Sequence, residues 1–300
     1  MRPRLINFLY SVLGPTLVPP VTSGLVGYYS SESYFAASNT WLDLSGSANH
    51  VVISAGSLTL TNATSNSPSI LSGSTATKLA FPFVPASFSS YTLFNVARYR
   101  PSGGSYQLIL QGCSVNWLSG FLNGGAGVAY HHNGWVTAQV GSLAQTVWVS
   151  SSDRCTNYRA NGVDRSLPSM QSTACDGNSF RGDQICINTG ATPGETSDFD
   201  IQAVLQYNRP LSDAEVAQVE VWLGYACPAG SYLNASAVRR SAFPCTSCPS
   251  GTWSVTVGAT SSAVCLACPA SQPSCTANVV PQLAAGRDAL NVFCLICVKA

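Results

Sequence analysis

Alternation of apolar and polar residues near position 200 predicts a long strand followed directly by a helix. From Phe199 to Tyr207, apolar side chains occupy every second position, and polar side chains occupy the positions between them with one exception. A period of two places one face of a strand against a core and the other toward solvent. Pro210 ends the strand because proline cannot donate a hydrogen bond to a sheet. Ser212 and Glu215 then have the spacing of a capping box, which predicts the start of a helix.

Short strands separated by turns fill residues 24–226. Residues 91–99 have a regular strand pattern, and the QLILQ segment at 107–111 is another strand. The Asn-Gly pairs that begin at Asn133 and Asn161 are strong signals for tight hairpin turns. About a dozen strands and one helix follow from these patterns. The sequence therefore predicts an all-β fold, an antiparallel jelly-roll sandwich with one short C-terminal helix.

A different composition begins at Cys227 and continues to residue 300. Three similar phrases, CPAGSY, CPSGTW and CPAS, begin at Cys227, Cys248 and Cys268. Units this small cannot bury enough apolar surface to fold alone and need disulfides. The sequence therefore predicts a small disulfide-rich repeat domain over 227–300. We expect this domain to be truncated, because a further unit would begin where the chain stops.

The composition favours a secreted protein. The chain has 300 residues, of which 9% are charged, and its net charge is +1. Because it has no basic stripe, nucleic acid is disfavoured as a partner. The 12 cysteines are even in number, and most have no histidine nearby. This pattern favours disulfides, and with them an extracellular or cell-surface location, over zinc binding.

Residues 1–23 have two interpretations. Arginines precede a partly apolar run, as in a signal peptide, but polar residues inside the run suit a linker within a longer protein equally well. No segment reaches the ~20 consecutive apolar residues that a transmembrane helix needs.

Several segments resemble known families. The segment WLDLSGSANHVVI, from Trp41 to Ile53, resembles the W-x-D-x-S-G-x-x-N-H signature near the start of laminin-G-like domains. The NRPLS corner at 208–212, with its strand and helix, resembles the last strand of concanavalin A-like jelly rolls of the laminin-G/pentraxin type. The cysteine-rich phrases resemble ephrin-receptor-like repeats. The resemblance implies a lectin-like module that binds a glycan or a surface glycoprotein and is carried on a disulfide-rich stalk within a larger modular protein.

Two other functions stay open, because fold does not fix function. One is a structural or adhesion module whose partner is another protein. The other is a glycoside hydrolase of the laminarinase type, which needs acids spaced as E-x-D-x-x-E on one strand. Glu195, Asp198 and Asp200 do not have that spacing, so we expect the chain not to be an enzyme. We interpret these acids as polar residues at the start of a strand. Asp198 and Asp200 are calcium candidates because carboxylate oxygens suit calcium, and we expect no other cofactor.

Aromatic and amide side chains in two segments are the candidate ligand-binding residues. Sugar sites can pair a ring, which stacks on the apolar face of a sugar, with Asn, Asp or His side chains that hydrogen-bond its hydroxyls. The alternative is that the Trp and Tyr side chains fill the core while Asn133-Gly134 only forms a turn. The candidates are Asn116, Trp117, Tyr130, His132, Asn133 and Trp135.

The resemblance to ephrin-receptor-like repeats also implies a disulfide pattern. In this pattern the opening cysteine of each unit bonds to the first cysteine of the next CxxC. Zinc bound by two CxxC pairs is the alternative. The implied pairs are Cys227–Cys245, Cys248–Cys265 and Cys268–Cys294, with Cys275 and Cys297 together or unpaired.

The four cysteines of the jelly-roll region allow three connectivities. We favour Cys175–Cys186, which closes a short loop before the last strand, and this choice leaves Cys113–Cys155.

Two further motifs concern the surface. Asn62 and Asn234 begin N-glycosylation sequons, which are meaningful in a secreted chain. The Arg-Gly-Asp tripeptide at 181–183 is attributed to chance, because three common residues coincide often.

Overall fold

The computed structural model describes most of the chain between residues 18 and 268. The described residues are 18–63, 68–84, 91–131, 134–141, 143–154, 157–168, 183–224, 227, 229–233, 245–256, 259 and 261–268. Strands joined by antiparallel pairing dominate both the jelly-roll region and the cysteine-rich region. The predicted fold class, an all-β sandwich with one short helix and a small disulfide-rich region, is therefore confirmed.

Short strands make up most of the regular structure along the chain. The strands are β1 Leu25–Ser30, β2 Tyr34–Phe35, β3 Thr40–Trp41, β4 Val51–Ala55, β5 Thr59–Thr61, β6 Ile70–Gly73, β7 Lys78–Ala80, β8 Thr92–Tyr99, β9 Leu110–Gly112, β10 Leu118–Leu122, β11 Gly125–His131, β12 Gly134–Trp135, β13 Val149–Arg154, β14 Asn157–Ala160, β15 Val163–Asp164, β16 Ile185–Ile187, β17 Phe199–Tyr207, β18 Ser231–Leu233, β19 Cys245–Ser247, β20 Thr252–Trp253 and β21 Leu266–Ala267. The α-helix is α1 Asp213–Trp222, and 3₁₀ turns lie at Ser31–Ser33, Ala36–Ser38 and Ser262–Val264.

Two antiparallel sheets form the sandwich. One has eight strands in the order β15-β14-β13-β8-β17-β6-β5, with β1 also paired to β17. The other has nine strands in the order β12-β11-β10-β9-β16-β7-β4-β3-β2. Their inner faces enclose the main core, where the fully buried rings of Tyr29, Trp41 and Phe81 contact one another. The strand predicted from residue 199 to 207 is confirmed as β17, which lies inside the eight-stranded sheet.

Helix α1 covers part of the outer face of the eight-stranded sheet. Its capping box is formed as predicted, with Ser212 and Glu215 bonded to each other's backbone amides. Val216 and Val219 pack on the sheet, and the carboxylate of the buried Glu220 accepts two hydrogen bonds from Arg159 on β14 at 2.8 and 3.0 Å. The outer face of the nine-stranded sheet carries no helix among the described residues. No described helix is long and apolar enough to cross a membrane.

The segment that resembles the laminin-G signature has a structural role. The buried carboxylate of Asp43 accepts hydrogen bonds from the backbone amides of Tyr28, Ser45 and Asn49 and from the Ser45 hydroxyl, at 2.8 to 3.0 Å. The His50 ring accepts a bond from the Asp43 amide at 3.0 Å. Through these hydrogen bonds, Asp43, Ser45, Asn49 and His50 hold this turn closed against β1.

The disulfides of the repeat region agree with two of the predicted pairs. Cys227–Cys245 and Cys248–Cys265 are bonded, with Cα separations of 5.5 and 5.6 Å. Because both CxxC motifs thus contribute cysteines to disulfides, the zinc alternative is wrong for them. Cys268 is also disulfide-bonded, while Cys294, Cys275 and Cys297 lie outside the described residues.

The predicted pairing in the jelly-roll region is wrong. Cys113 is bonded to Cys186, with a Cα separation of 5.1 Å, so the pairs Cys175–Cys186 and Cys113–Cys155 do not form. The physical reason is the pairing of β9 with β16, which sets Gln111 opposite Cys186 and brings residues 73 apart in the chain together. Cys155 and Cys175 lie outside the described residues.

Candidate functional site

A row of cross-strand neighbours crosses the outer face of the nine-stranded sheet. Trp135 lies opposite Tyr130, Tyr130 opposite Leu118, Leu118 opposite Gln111, and Gln111 opposite Cys186. The residues on either side of these positions, such as Ala129 and His131, point into the sandwich, so the row itself points outward.

One end of this row, at Gln111 and Cys186, is covered, and the other end, at Tyr130 and Trp135, is open. Gln111 and Cys186 are each 2% exposed. Gly190 lies against the Gln111 side chain so closely that a Cβ there would collide with it, and the Gln111 amide reaches the Glu195 carbonyl at 3.5 Å. The segment that contains Gly190 and Glu195 therefore covers the centre of the face and leaves Tyr130 and Trp135 accessible at its edge.

Tyr130 and Trp135 form an aromatic pair at this edge. Their ring centroids are 5.3 Å apart and the rings meet edge to face at 69°. Both rings pack on an apolar patch that includes Leu108, Leu118 and Val128, and both stay partly exposed. Two of the predicted ligand-binding residues are thus brought together on a surface. We call this pair the aromatic corner.

Trp117 was predicted as a surface ring, and this prediction is wrong. The side chain is 1% exposed, because Trp117 lies one position before the outward-facing Leu118 and so points into the core. Its indole stacks on the His131 ring at 6.0 Å with an interplanar angle of 10°. The alternative interpretation, that a Trp of this segment fills the core, is the correct one for Trp117.

Asn116 is exposed on the loop between β9 and β10. The buried carboxylate of Asp183 anchors this loop by accepting hydrogen bonds from the Ser114 hydroxyl and from the amides of Ser114 and Val115, at 2.9 to 3.1 Å. The Cys113–Cys186 disulfide ties down the start of the same loop. Asn116 therefore lies on a braced loop, which is held in place by the buried Asp183 carboxylate and by the disulfide.

His132 and Asn133 are the two chain residues between β11 and β12 and lie outside the described residues. Their predicted roles as ligand-binding residues stay predictions. Asn62, the asparagine of the first sequon, is exposed directly after β5. Thr64 of the same sequon and Asn234, the asparagine of the second sequon, lie outside the described residues.

Sequence reasoning missed a buried polar cluster behind the aromatic corner. The Asp153 carboxylate accepts a hydrogen bond from the Tyr91 hydroxyl at 3.1 Å and lies 3.1 Å from Nε2 of His131. Burial, with the nearby Asp153 charge, raises the pKa of Tyr91, so its hydroxyl stays protonated and donates. These contacts join the end of β11 to the opposite sheet and fix the backbone beside Tyr130. The unbroken polar run SSSDR at 150–154 is the signal that could have indicated them, because a strand points every second residue inward.

The acidic cluster near β17 is engaged in structural contacts. Asp198 accepts hydrogen bonds from the amides of Thr75, Gly104 and Ser105 at 2.8 to 3.2 Å. Asp200 accepts hydrogen bonds from Arg98 at 2.8 Å and from the Ser72 hydroxyl at 2.6 Å. No group of three metal-binding side chains lies together in the described part of the chain. Calcium at Asp198 and Asp200 stays a prediction, and it would require Arg98 to leave Asp200.

Comparison with known proteins finds partial structural similarity to several solved structures and no family. No protein-family model matches the chain, and no curated protein matches it. Domain 4 of a GH43 extracellular arabinanase from Geobacillus stearothermophilus, in complex with arabinotriose, is 12% identical, with 67% of this chain and 98% of that chain covered and a TM-score of 0.46. Trypanosoma rangeli sialidase in complex with sialic acid is 18% identical, with 72% and 36% covered and a TM-score of 0.43. The ligand-binding domain of botulinum neurotoxin serotype D in complex with N-acetylneuraminic acid is 12% identical, with 68% and 52% covered and a TM-score of 0.44.

These comparisons correct one expectation from the sequence. Two of the three similar structures are named as parts or forms of glycoside hydrolases, an arabinanase and a sialidase. The expectation that the chain is not an enzyme is therefore withdrawn. Identities this low show neither an activity nor a ligand for this chain. The laminin-G-like and ephrin-receptor-like resemblances stay predictions, because no family model matches.

Proposed function

We propose that this chain is an extracellular glycan-binding module whose site is the aromatic corner of Tyr130 and Trp135. Asn116, on the neighbouring braced loop, supplies an amide for a sugar hydroxyl. The laminin-G-like character of the sandwich and the role of the cysteine-rich repeats as a stalk belong to the same proposal.

The observation that carries the proposal is the partly exposed ring pair on a sheet face that no described helix covers. Tyr130 holds Trp135 edge to face at 5.3 Å, so the indole is already ordered before a ligand arrives. A pre-ordered ring loses little entropy on binding, which favours stacking on the apolar face of a sugar. The buried contacts of His131 directly behind Tyr130 fix the strand that carries the pair.

The composition of the segments that form the site supports a neutral sugar as the ligand. The chain has no Asp, Glu, Lys or Arg between Arg100 and Asp153, a stretch that contains Asn116 and the whole aromatic corner. A site of rings and amides without charges recognises hydroxyls through neutral hydrogen bonds and contributes no attraction for a carboxylate or sulfate.

The disulfides support an extracellular location. Three disulfides join described cysteines, one in the sandwich and two in the repeats. Disulfides form and persist in oxidising compartments, and small repeat units without a large core depend on them.

A glycan array with neutral and acidic oligosaccharides tests the proposal. We expect the wild-type chain to bind neutral glycans, Trp135→Ala to weaken binding roughly tenfold or more, and Trp135→Phe to keep most of it because a ring remains. Trp148→Ala is the matched control, since Trp148 is a half-buried indole on Arg98 of the other sheet.

Two results would contradict the proposal: an absence of wild-type binding, or equal affinity for the wild type and Trp135→Ala. Each glycan that binds is also incubated with the wild-type chain and assayed for released sugar, which separates binding from hydrolysis.

A further inference from the structure

Asn95, at the centre of the sandwich, is buried without a protein partner. Its side chain is 0% exposed, and neither Nδ2 nor Oδ1 has a hydrogen-bond partner among the described residues. An amide in an apolar interior is strongly unfavourable unless both of its polar atoms are bonded. A fully buried asparagine on a central strand therefore needs an explanation.

The side chains around Asn95 are also polar. Asn95 on β8 lies opposite Ser151 on β13, and both point inward, as Leu93 and Val149 of the core do. The hydroxyls of Ser151 and Tyr158 are 2.7 Å apart. Burial raises the pKa of Tyr158, so its hydroxyl stays protonated. One region of the eight-stranded sheet therefore presents an amide and two hydroxyls to the interior.

A glycine on the facing strand lies against these polar groups. Gly120, on β10, has a φ of 101° and lies at an irregularity in the pairing of β10 with β11. A Cβ placed on Gly120 would lie 3.4 Å from the Ser151 hydroxyl, 3.7 Å from Oδ1 of Asn95 and 3.9 Å from the Tyr158 hydroxyl. Gly120 thus keeps a side chain out of the place that these three oxygens face. The hydroxyl of Ser119, which precedes Gly120 in the chain and is 0% exposed, also has no hydrogen-bond partner in the described part of the structure.

We infer that Asn95, Ser119 and Ser151 form an internal hydrated site, in which ordered water bridges the two sheets beside Gly120. Buried water typically bonds to two to four buried polar groups that otherwise lack partners. Each water donates to Oδ1 of Asn95 or to a hydroxyl oxygen and accepts from Nδ2 of Asn95 or a hydroxyl hydrogen. The water links β8 and β13 to β10, the strand that supports the aromatic corner.

Replacing Asn95 by leucine gives opposite results for a hydrated and a dry interior. In a dry interior, Asn95→Leu removes an unbonded amide of nearly the same shape and raises the melting temperature. In the hydrated site, it breaks the bonds to water and leaves the Ser119 hydroxyl unbonded. We therefore expect a lower melting temperature, by on the order of 5 °C. A melting temperature that is unchanged or higher would overturn the inference.

Two further measurements make the test specific. Ser119→Ala should also lower the melting temperature. The control Ser150→Ala should leave the melting temperature unchanged. Ser150 is equally buried, and its hydroxyl has no hydrogen-bond partner among the described residues, but it lies between the inward-facing Val149 and Ser151 and so points away from this region. A crystal structure of the wild-type chain should show water within hydrogen-bond distance of both Asn95 side-chain atoms. A well-ordered Asn95 without such density would overturn the inference whether or not a glycan binds at the aromatic corner.

Discussion

The Cys113–Cys186 disulfide offers the sharpest test of how the loop that carries Asn116 is held. The bond joins residues 73 apart in the chain and closes a loop that contains β10 to β15. Cross-linking a loop of this length lowers the entropy of the unfolded chain and so stabilises the folded state by roughly 4 kcal/mol. We expect the Cys113→Ala/Cys186→Ala double variant to lose about 4 kcal/mol in the free energy of unfolding. Its glycan affinity should also fall, because Asp183 alone then anchors the loop.

Urea denaturation measures this loss by linear extrapolation. The control is Cys248→Ala/Cys265→Ala, which removes a disulfide of separation 17 in the repeats and should leave the sandwich transition unchanged. A loss below about 1 kcal/mol would refute the loop-entropy argument. A peptide joining Cys113 to Cys155 in a non-reduced digest would refute the pairing itself.

Two more predictions concern the attachment of helix α1 to the sheet. Glu220→Gln should lower the free energy of unfolding by roughly 3 kcal/mol, at the low end for breaking a buried ion pair because the Arg159 side chain is 24% exposed. The double variant Arg159→Leu/Glu220→Leu, which leaves no unpaired charge, should lose less. An equal loss for both variants in a denaturation series would contradict this. The hydrogen bonds from Arg209 and then from the Ser212 backbone lower the pKa of Glu215 to about 2, so its stabilising effect is complete above its ordinary pKa of 4.5 and is lost as the pH falls toward 2. The melting temperature of the wild type should therefore exceed that of Glu215→Gln at pH 7, and the difference should shrink toward pH 2. A difference that stays constant with pH would count against this assignment.

Local patterns predicted the elements whose structure depends on near neighbours in the chain. The alternation from Phe199 to Tyr207, the proline that ends it and the Ser212–Glu215 capping box all depend on residues within a few positions of one another. Two repeat disulfides, Cys227–Cys245 and Cys248–Cys265, follow the pattern that the resemblance to ephrin-receptor-like repeats implies. Cys113–Cys186 was not predictable, because it depends on β9 pairing with β16, a contact between distant segments.

The candidate site was only partly predictable for a related reason. A strand presents neighbouring residues to opposite faces, so a shift of one position decides whether a ring is exposed or buried. The sequence grouped Trp117 with Tyr130 and Trp135 by residue type, but the register of β10 and β11 places Trp117 inside and Leu118 outside. Asp153 and Asn95 were missed because polar residues in strand patterns are normally expected on the solvent face.

The central claim, a glycan site at Tyr130 and Trp135, is tested most directly by a crystal structure of the chain with a neutral oligosaccharide that binds on the array. The account predicts a sugar ring stacked on the Trp135 indole at about 4 Å, with a hydroxyl within hydrogen-bond distance of the Asn116 amide. A sugar bound on the eight-stranded sheet or on the repeats, with Trp135 uncontacted, would contradict it.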